Sequence, residues 1–327
     1  MKVVIVGAGL ASAIAVYLLK KHFDCDITIY EQKNIGGLMR NDTTNNITIQ
    51  LYGPHVFHTT DNNIRNLMLE IFNHYNIKWE TYYLQVFANV NNNIHSLPYS
   101  KMTNLSHDNY INKIIKPYTQ KQWGKYNEDV VQRLYELDYY TGHYHTTATF
   151  SCIFDHNDFF NKIFKGCNIV YDKCSEYELS LMDADIKIYT GYRENCEFKK
   201  TLFRHKLSAN DQGCLQMNYP GLDKKYTRVM DYCYLTNNPI KCDLHPICEE
   251  IPSSNMFNNI LSSIINCCNN EDIICDDHII NTYPIGDVKK NYDGIVYLGR
   301  FGLHKYLDMD KVVASVLDWF KDYTKHN

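Results

Sequence analysis

The first thirty residues show an apolar run, a helical pattern and a second apolar run. Residues 2–6 (KVVIV) form a mostly apolar run that is typical of a buried strand. A turn containing two glycines leads into a helical pattern that continues to Lys21, and a β-branched run follows at residues 26–30. This order predicts a strand, a crossover helix and a second strand parallel to the first.

Further along the chain, the pattern switches repeatedly between strand-like alternation and helical periodicity. The predicted elements are a strand at 47–51, a helix at 61–75, a hairpin at 82–97, mixed helices at 100–145, strands within 168–191, an antiparallel sheet at 198–250, a helix at 251–270, a strand at 294–300 and a helix at 308–322. The hairpin is predicted because a cluster of three asparagines at 91–93, a residue type that favours turns, divides an alternating run.

This element order predicts an α/β fold in three interleaved parts, since no repeat or low-complexity linker separates the segments. The expected parts are a discontinuous Rossmann-like domain at 1–80, 150–197 and 286–327, a small helical domain with a mobile lid at 99–149, and an antiparallel sheet domain at 81–98 and 198–285.

Length and charge narrow the class of protein. With 327 residues and 45% hydrophobic content, the chain is long enough for a multi-lobed enzyme with a cleft. A net charge of −4 argues against nucleic acid or a membrane surface as a partner, because both need clustered positive charge. The chain opens directly on a strand pattern, and no apolar run approaches the length of a membrane span. We therefore expect a cytoplasmic protein, in the host cytoplasm if the source is a virus.

The 12 cysteines are scattered and form no C-x-x-C pair, which disfavours a structural zinc site. We interpret them as reduced thiols and expect no metal.

The turn after the first strand, Gly7-Ala8-Gly9-Leu10-Ala11-Ser12, is a dinucleotide fingerprint in which Ser12 replaces the third glycine. Gly7 and Gly9 permit a tight turn and close approach to a pyrophosphate at the helix N-terminus. Glu31 ends the second strand, where a carboxylate binds a ribose hydroxyl. Ser12 adds volume where the helix meets the strand, and an ordinary glycine turn is the alternative interpretation.

The segment YGPHVFHT, residues 52–59, contains His55 and His58 three positions apart. A metal site would need further ligands, and the neighbouring sequence supplies no Glu-x-x-His or Cys-x-x-Cys partner. Two other interpretations stay open on the residues alone: histidines hydrogen-bonded in a core, and the wall of a cofactor pocket.

Segments spread over nearly the whole chain resemble the UDP-galactopyranose mutase family. They are GAGL at 7–10, IGG at 35–37, YGPHVFHT at 52–59, SLP at 96–98, YTQKQWG at 118–124, QGCLQMNY at 212–219, YTR at 226–228, YPI at 283–285 and GRFGLHKYLDMD at 299–310. The acidic end of the second strand, followed by Gly36-Gly37, also resembles the FAD-binding fold of the amine-oxidase and mutase superfamily. The resemblance implies that the Rossmann-like domain binds FAD and that YGPHVFHT lines the flavin.

The resemblance also implies roles for individual residues. Arg133, Arg228 and Arg300 match arginines that hold the substrate diphosphate, and with His58 beside the flavin they form the expected catalytic set. The implied substrate-binding residues are Tyr118, Trp123, Tyr144, Asn218, Tyr283, Tyr306 and Asp308. The implied cofactor-binding residues are Gly7, Gly9, Leu10, Glu31, Gly36, Gly37, His55, His58, Arg300, Asp308 and Met309.

The activity implied is the interconversion of UDP-galactopyranose and UDP-galactofuranose. In the family, N5 of reduced FAD is the nucleophile that forms the flavin–sugar adduct, with no net redox change, and an external reductant such as NADPH or NADH keeps the flavin reduced. No side chain in this sequence has the pattern of an activated nucleophile, which agrees with a cofactor that carries the hard step.

Alternatives remain at this stage. The chain could be a mutase with the same mechanism on another nucleotide sugar, a redox flavoenzyme of the amine-oxidase superfamily, or a catalytically inactive FAD-binding protein. The segment before KPYTQKQWG is shorter than in the bacterial relatives, whose helical domain carries the dimer contacts. We therefore expect a monomer or a homodimer of another kind.

Overall fold

The computed structural model describes residues 1–96, 107–123, 148–252, 278–288 and 290–326. Arg133, Tyr144, the side chain of Trp123, most of the predicted lid and nearly all of the helix predicted at 251–270 lie outside this part of the chain.

The strands are β1 (Lys2–Val6), β2 (Asp26–Tyr30), β3 (Asn41–Thr44), β4 (Ile47–Gln50), β5 (Phe57–Thr59), β6 (Trp79–Thr81), β7 (Val86–Val90), β8 (Asn93–Ser96), β9 (Phe150–Phe154), β10 (Asn168–Val170), β11 (Ile186–Tyr189), β12 (Glu197–Ser208), β13 (Gln216–Asn218), β14 (Arg228–Asp231), β15 (His245–Pro252), β16 (His278–Ile285) and β17 (Ile295–Tyr297). The helices are α1 (Leu10–His22), α2 (Asn62–His74), α3 (His107–Tyr110), α4 (Lys116–Trp123), α5 (His156–Ile163), α6 (Glu176–Leu181), α7 (Gly299–Gly302) and α8 (Met309–His326).

A five-stranded parallel sheet in the order β10-β2-β1-β11-β17 forms the centre of the first layer. Its strands pair in register, for example Val3 with Ile186. The side chains of these two residues are almost fully buried. Helix α1 contacts both α5 and α8, and the apolar face of α8 contributes Val313 and Val316 to the same core. This confirms the predicted β–α–β start and the α/β fold with a Rossmann-like domain.

A seven-stranded sheet in the order β16-β12-β15-β14-β13-β7-β8 forms the second layer. All its pairings are antiparallel except the one between β13 and β7. Its first hairpin turns at Asn91 and Asn92, which have φ of 52° and 64°, so the asparagine cluster does form the predicted turn. The two sheets use the segments assigned above to different domains, but the domain boundaries themselves remain a prediction.

Two buried lysines hold the helical segment 107–123 against the second sheet. This segment runs through α3, a π-helical turn at Ile111–Ile115 and α4. Lys121 of α4 donates to the carbonyl oxygens of Tyr219 (2.6 Å) and Tyr226 (3.0 Å). Lys199 of β12 donates in the opposite direction, to the carbonyl oxygen of Gln122. The helix that carries Tyr118 is thereby fixed over the sheet.

Two predicted elements differ in detail. The strand expected at 294–300 is only β17, because Gly299 has φ of +73° and turns the chain into α7. The strands expected within 168–191 are separated by α6, whose first turn is closed by a capping box between Ser175 and Glu178. Helix α2 begins as predicted, since the Asp61 carboxylate accepts from the Asn63 and Ile64 amides.

Candidate active site

The carboxyl ends of β1, β2 and β11 meet at one edge of the parallel sheet, the position where nucleotides bind in open α/β folds. Gly7 follows β1 with φ of +93°, and a Cβ at this position would overlap Thr190 Oγ1 at the end of β11. Its amide donates to the Tyr30 carbonyl oxygen at 2.8 Å. A side chain at residue 7 is therefore excluded both by the backbone conformation and by the space available.

Ser12 does not crowd this turn. Its side chain is fully buried, and its hydroxyl donates to the Gly7 carbonyl oxygen at 2.6 Å. The Ser12 hydroxyl oxygen also lies 2.9 Å from Thr190 Oγ1. The serine therefore ties the glycine turn to the neighbouring strand, a role that the fingerprint sequence alone does not reveal.

The N-terminus of α1 fits the diphosphate of a dinucleotide. No side chain among the described residues caps this helix at Gly9, and a Cβ added at Gly9 would meet nothing within 4 Å. The second glycine loop closes over it, because a Cβ at Gly37 would lie 3.5 Å from Gly9 Cα and the Gly36 amide donates to the Ala8 carbonyl oxygen at 2.8 Å. Uncapped N–H groups beside open space are what a bound diphosphate requires.

Glu31 lies at the end of β2 beside this turn. Its Oε2 accepts from the Ala8 amide at 2.9 Å and its Oε1 accepts from the Lys33 amide at 2.8 Å. These bonds fix the carboxylate, and each oxygen retains a lone pair that can accept from a ribose hydroxyl. The residues at this edge therefore fit a dinucleotide such as FAD.

His55 lies on the turn into β5 and His58 lies within β5, and neither belongs to the groups that could hold a metal among the described residues. Nδ1 of His58 is 2.9 Å from the Val56 carbonyl oxygen, and Nδ1 of His55 is 2.8 Å from that of Gly53. Burial lowers the pKa of His55 from 6.5 to about 3, and the neighbouring His156 and Arg300 lower it further. His55 is thus neutral at physiological pH.

Arg228 begins β14 and faces a buried carboxylate across the strand pair. Its Nε donates to Oε2 of Glu250 on β15, and the Glu250 side chain is 1% exposed. Burial opposes the charge of Arg228, but Glu250, Tyr118 and Tyr283 outweigh burial and raise its pKa above the usual value. Arg228 is therefore a permanent cation that is held at a fixed position.

Arg300 lies on α7, just after the parallel sheet, with its Nε and Nη2 donating to the Leu307 carbonyl oxygen at 3.0 and 2.8 Å. Its guanidinium carbon is 4.7 Å from the centre of the Tyr306 ring, and that ring stacks on Tyr283 with centroids 5.3 Å apart. Close packing of α7 on α1 sets this position, since a Cβ at Gly299 would come within 2.8 Å of Ala11 Cβ.

These interactions connect His55 with most of the described residues that were predicted to bind the substrate. Arg228 and Arg300 both act on His55, and the charges of Arg300, Arg228 and Asp308 all act on Tyr306. Asn218 on β13 is the cross-strand partner of Arg228. Met309, at the start of α8, is half-buried against the core of the parallel sheet, and its role beside the cofactor stays a prediction.

Sequence analysis missed Glu250 and His156. The signal for Glu250 was a charged pair, Glu249-Glu250, inside the strand HPICEEIP, whose residues are all buried. His156 is fully buried on α5, with Nδ1 2.9 Å from the Met39 carbonyl oxygen and its ring 6.3 Å from that of His55. Burial lowers the pKa of His156 to about 4, so it too is neutral.

The chain is similar to a family of nucleotide-binding domains and to two sugar mutases. The family of NAD(P)-binding Rossmann-like domains matches residues 5–72. Along the whole chain, a dTDP-fucopyranose mutase of Escherichia coli is 24% identical, with 100% of this chain and 99% of the relative covered. A probable UDP-galactopyranose mutase of Klebsiella pneumoniae is 22% identical, with 96% and 92% covered.

Solved structures show the same fold. A reduced UDP-galactopyranose mutase superposes with a TM-score of 0.64 at 12% identity, covering 100% of this chain and 94% of that one. A putative protoporphyrinogen oxidase from Exiguobacterium superposes with a TM-score of 0.65 at 12% identity, covering 100% and 99%. No helix in the described ranges has both the length and the apolar character to cross a bilayer.

Proposed function

We propose that this protein is a flavin-dependent mutase that interconverts the pyranose and furanose forms of a nucleotide sugar. The observation that carries the proposal is the placement of Arg228 and Arg300 around one stacked aromatic pair. The Arg300 guanidinium lies 4.7 Å from the centre of the Tyr306 ring, which stacks on Tyr283 at 5.3 Å, and the charge of Arg228 acts on both tyrosines. A dinucleotide edge faced by fixed cations suits a second, anionic ligand next to the cofactor. The full-length similarity to two nucleotide-sugar mutases supports the same conclusion.

The residues of this chain have separable tasks in the proposed reaction. Arg228 and Arg300 bind the diphosphate and stabilise the negative charge that develops when it leaves the anomeric carbon. The stacked pair Tyr283 and Tyr306 lies beside both arginines and offers hydroxyl groups to the same phosphates. Reduced FAD, when bound at the glycine turn, supplies the nucleophilic nitrogen.

The proposed substrate is a UDP- or dTDP-linked sugar with the galactose configuration. UDP-galactopyranose is the first candidate, because the sequence segments match that family. dTDP-fucopyranose is the second, because a mutase named for that substrate is similar along all of this chain. Fucose lacks the 6-hydroxyl of galactose and thymine carries an extra methyl group, so the two substrates test different contacts.

The test is a chromatographic assay of purified protein with bound FAD. UDP-galactofuranose and dTDP-fucofuranose are each incubated with the protein, with and without dithionite, and the pyranose products are quantified. We expect conversion only in the reduced samples, and the ratio of kcat/KM for the two substrates identifies the natural sugar.

Two results would overturn the proposal. One is the absence of conversion of either sugar by protein whose flavin is bound and reduced. The other is oxygen consumption or flavin reduction driven by an amine or another organic substrate, which would assign the protein to the redox flavoenzymes of the same fold.

A further inference from the structure

A cluster of metal-binding side chains lies in the loop that joins β14 to β15, away from the arginines. Cys233 follows β14 in a 3₁₀ turn, Cys242 lies further along the loop, and His245 begins β15. One ligand atom from each of the three lies within 4.8 Å of the others. The loop therefore gathers two thiols and an imidazole that are separated along the chain.

The cluster is largely shielded from solvent. Cys233 is 0% exposed, His245 is 6% exposed and Cys242 is half-buried. The Sγ atoms of the two cysteines are 2.9 Å apart, closer than two unbonded thiols normally pack. The loop is also held by a hydrogen bond from the Ile240 amide to the Cys233 carbonyl oxygen at 2.9 Å.

Asp231, the last residue of β14, contacts two members of the cluster through its carboxylate. This carboxylate is 0% exposed, and its Oδ2 is 2.7 Å from Nδ1 of His245. Its Oδ1 accepts from the Cys233 amide at 3.1 Å. A carboxylate that holds one ring nitrogen of a histidine while the other binds a metal is a recurrent arrangement around zinc.

We propose that Cys233, Cys242 and His245 bind a zinc-class divalent cation, with Asp231 orienting the histidine. Zinc takes Cys sulfur at about 2.3 Å and His nitrogen at about 2.0–2.1 Å, so tetrahedral donors lie roughly 3.5–3.8 Å apart. The cluster reaches that spacing if the two sulfurs, now 2.9 Å apart, separate by under about 1 Å and the histidine nitrogen, at most 4.8 Å from the sulfurs, moves to about the same distance from both. The cation displaces both thiol protons to the solvent, His245 binds through Nε2, and water completes the fourth position.

The position of the site points to a structural role. Strand β14 has Arg228 at one end and Asp231 at the other, about 10 Å apart at roughly 3.3 Å per residue. Strand β15 likewise begins at His245 and carries Glu250 opposite Arg228. Zinc would therefore fasten the far end of the strand pair that holds the Arg228–Glu250 ion pair. This site departs from the absence of metal expected from the cysteine spacing.

The first test measures metal content of the tag-free holoprotein after incubation with zinc sulfate and desalting. Zinc is quantified by mass spectrometry in wild type, Cys242→Ser and His245→Gln. Cys196→Ser is the matched control, because Cys196 is also half-buried but lies outside the cluster. We expect about one zinc per chain in wild type and in the control, and less than about a tenth of that in the two cluster variants.

A second measurement covers the case in which a variant does not fold. Wild-type protein is stripped with a chelator, its flavin absorbance is checked, and it is titrated with zinc against a metallochromic indicator while Tm is followed. We expect Tm to rise as zinc binds. Failure of the folded wild type to retain zinc would overturn the proposal, as would equal zinc in all variants. A peptide map showing a Cys233–Cys242 disulfide in place of metal would overturn it as well.

Discussion

The cofactor edge and the substrate side of the candidate site are built from different parts of the chain. At the edge of the parallel sheet, main-chain groups and the space left by missing side chains define the site, as Gly7 and Gly9 show. On the substrate side, charged and aromatic side chains define it, as Arg228, Glu250 and Tyr283 show. One half therefore depends on backbone conformation, and the other depends on strand register.

This difference explains how the halves tolerate change. At the edge, a side chain added at Gly7 would overlap Thr190, and one added at Gly9 would enter the open space beside the helix N-terminus. On the substrate side, removal of a side chain leaves a buried charge without its partner. Mutations at the cofactor edge should therefore cause loss of the cofactor. Mutations on the substrate side should cause loss of turnover while the cofactor is retained.

The largest effect is expected for Arg228→Ala. This substitution removes a desolvated, charge-assisted contact to the diphosphate. We expect kcat/KM to fall by a factor that corresponds to about 2–5 kcal/mol of activation free energy, while the flavin stays bound. Arg204→Ala is the matched control, because Arg204 is also paired with a buried glutamate, Glu249, across the same sheet. Equal losses of turnover in the two variants would contradict a substrate role for Arg228 and indicate general destabilisation of the sheet.

Gly7→Ala should disrupt the cofactor edge. A φ of +93° disfavours alanine, and its Cβ would overlap Thr190 Oγ1, so we expect a loss of about 2–4 kcal/mol in unfolding free energy together with loss of flavin. Gly166→Ala is the control that separates backbone strain from steric overlap. Gly166 has φ of +81°, but an added Cβ there would meet nothing within 4 Å. Flavin absorbance and chemical denaturation measure both. A Gly7→Ala protein that retains full flavin would refute the assigned edge.

A smaller effect that depends on pH is expected at Lys121. Burial lowers the pKa of Lys121 from 10.5 to about 8. Between those pH values the unfolded chain binds the proton more tightly than the folded protein, so stability rises as pH increases. The unfolding free energy of wild type relative to Lys121→Met should therefore increase from pH 8 to 10.5. Lys113→Met, which removes an exposed lysine of the same helical segment, is the matched control.

A second pH-dependent effect, in the acid range, is expected at His55. Its folded-state pKa of about 3 lies below the usual 6.5, so the unfolded chain is protonated first as pH falls. Stability contributed by the neutral ring is present above pH 6.5 and is lost as pH is lowered towards 3. The difference in unfolding free energy between wild type and His55→Gln should shrink as pH falls over that range. His22→Gln, which removes an exposed histidine, is the matched control. A His55 NMR titration centred near pH 6.5 would contradict the assigned burial.

The parallel half of the fold could be predicted because its signals are local. The apolar run at residues 2–6, the glycine turn and the helix after it follow one another within about twenty residues. Helix α6 was missed although its capping pair, Ser175 and Glu178, is visible in the sequence. The end of β17 was misplaced because the φ of Gly299 depends on its contact with Ala11.

The substrate side could be anticipated only through the family resemblance, and its internal partners could not. Glu250 faces Arg228 because β14 and β15 pair in one particular register, and nothing near either residue specifies that register. The same holds for Cys233, Cys242 and His245, whose spacing matches no common zinc pattern and which meet only because a loop returns to the next strand.

The two lysine clamps have an evolutionary consequence. Lys121 and Lys199 hold the helical segment by donating to main-chain carbonyl oxygens of Tyr219, Tyr226 and Gln122, and every amino acid offers such an oxygen. The side chains at those three positions can therefore be substituted without loss of these hydrogen bonds, provided that the backbone conformation is unchanged. Natural selection could therefore remodel the surface around this helix while the two lysines keep the helix that carries Tyr118 in place.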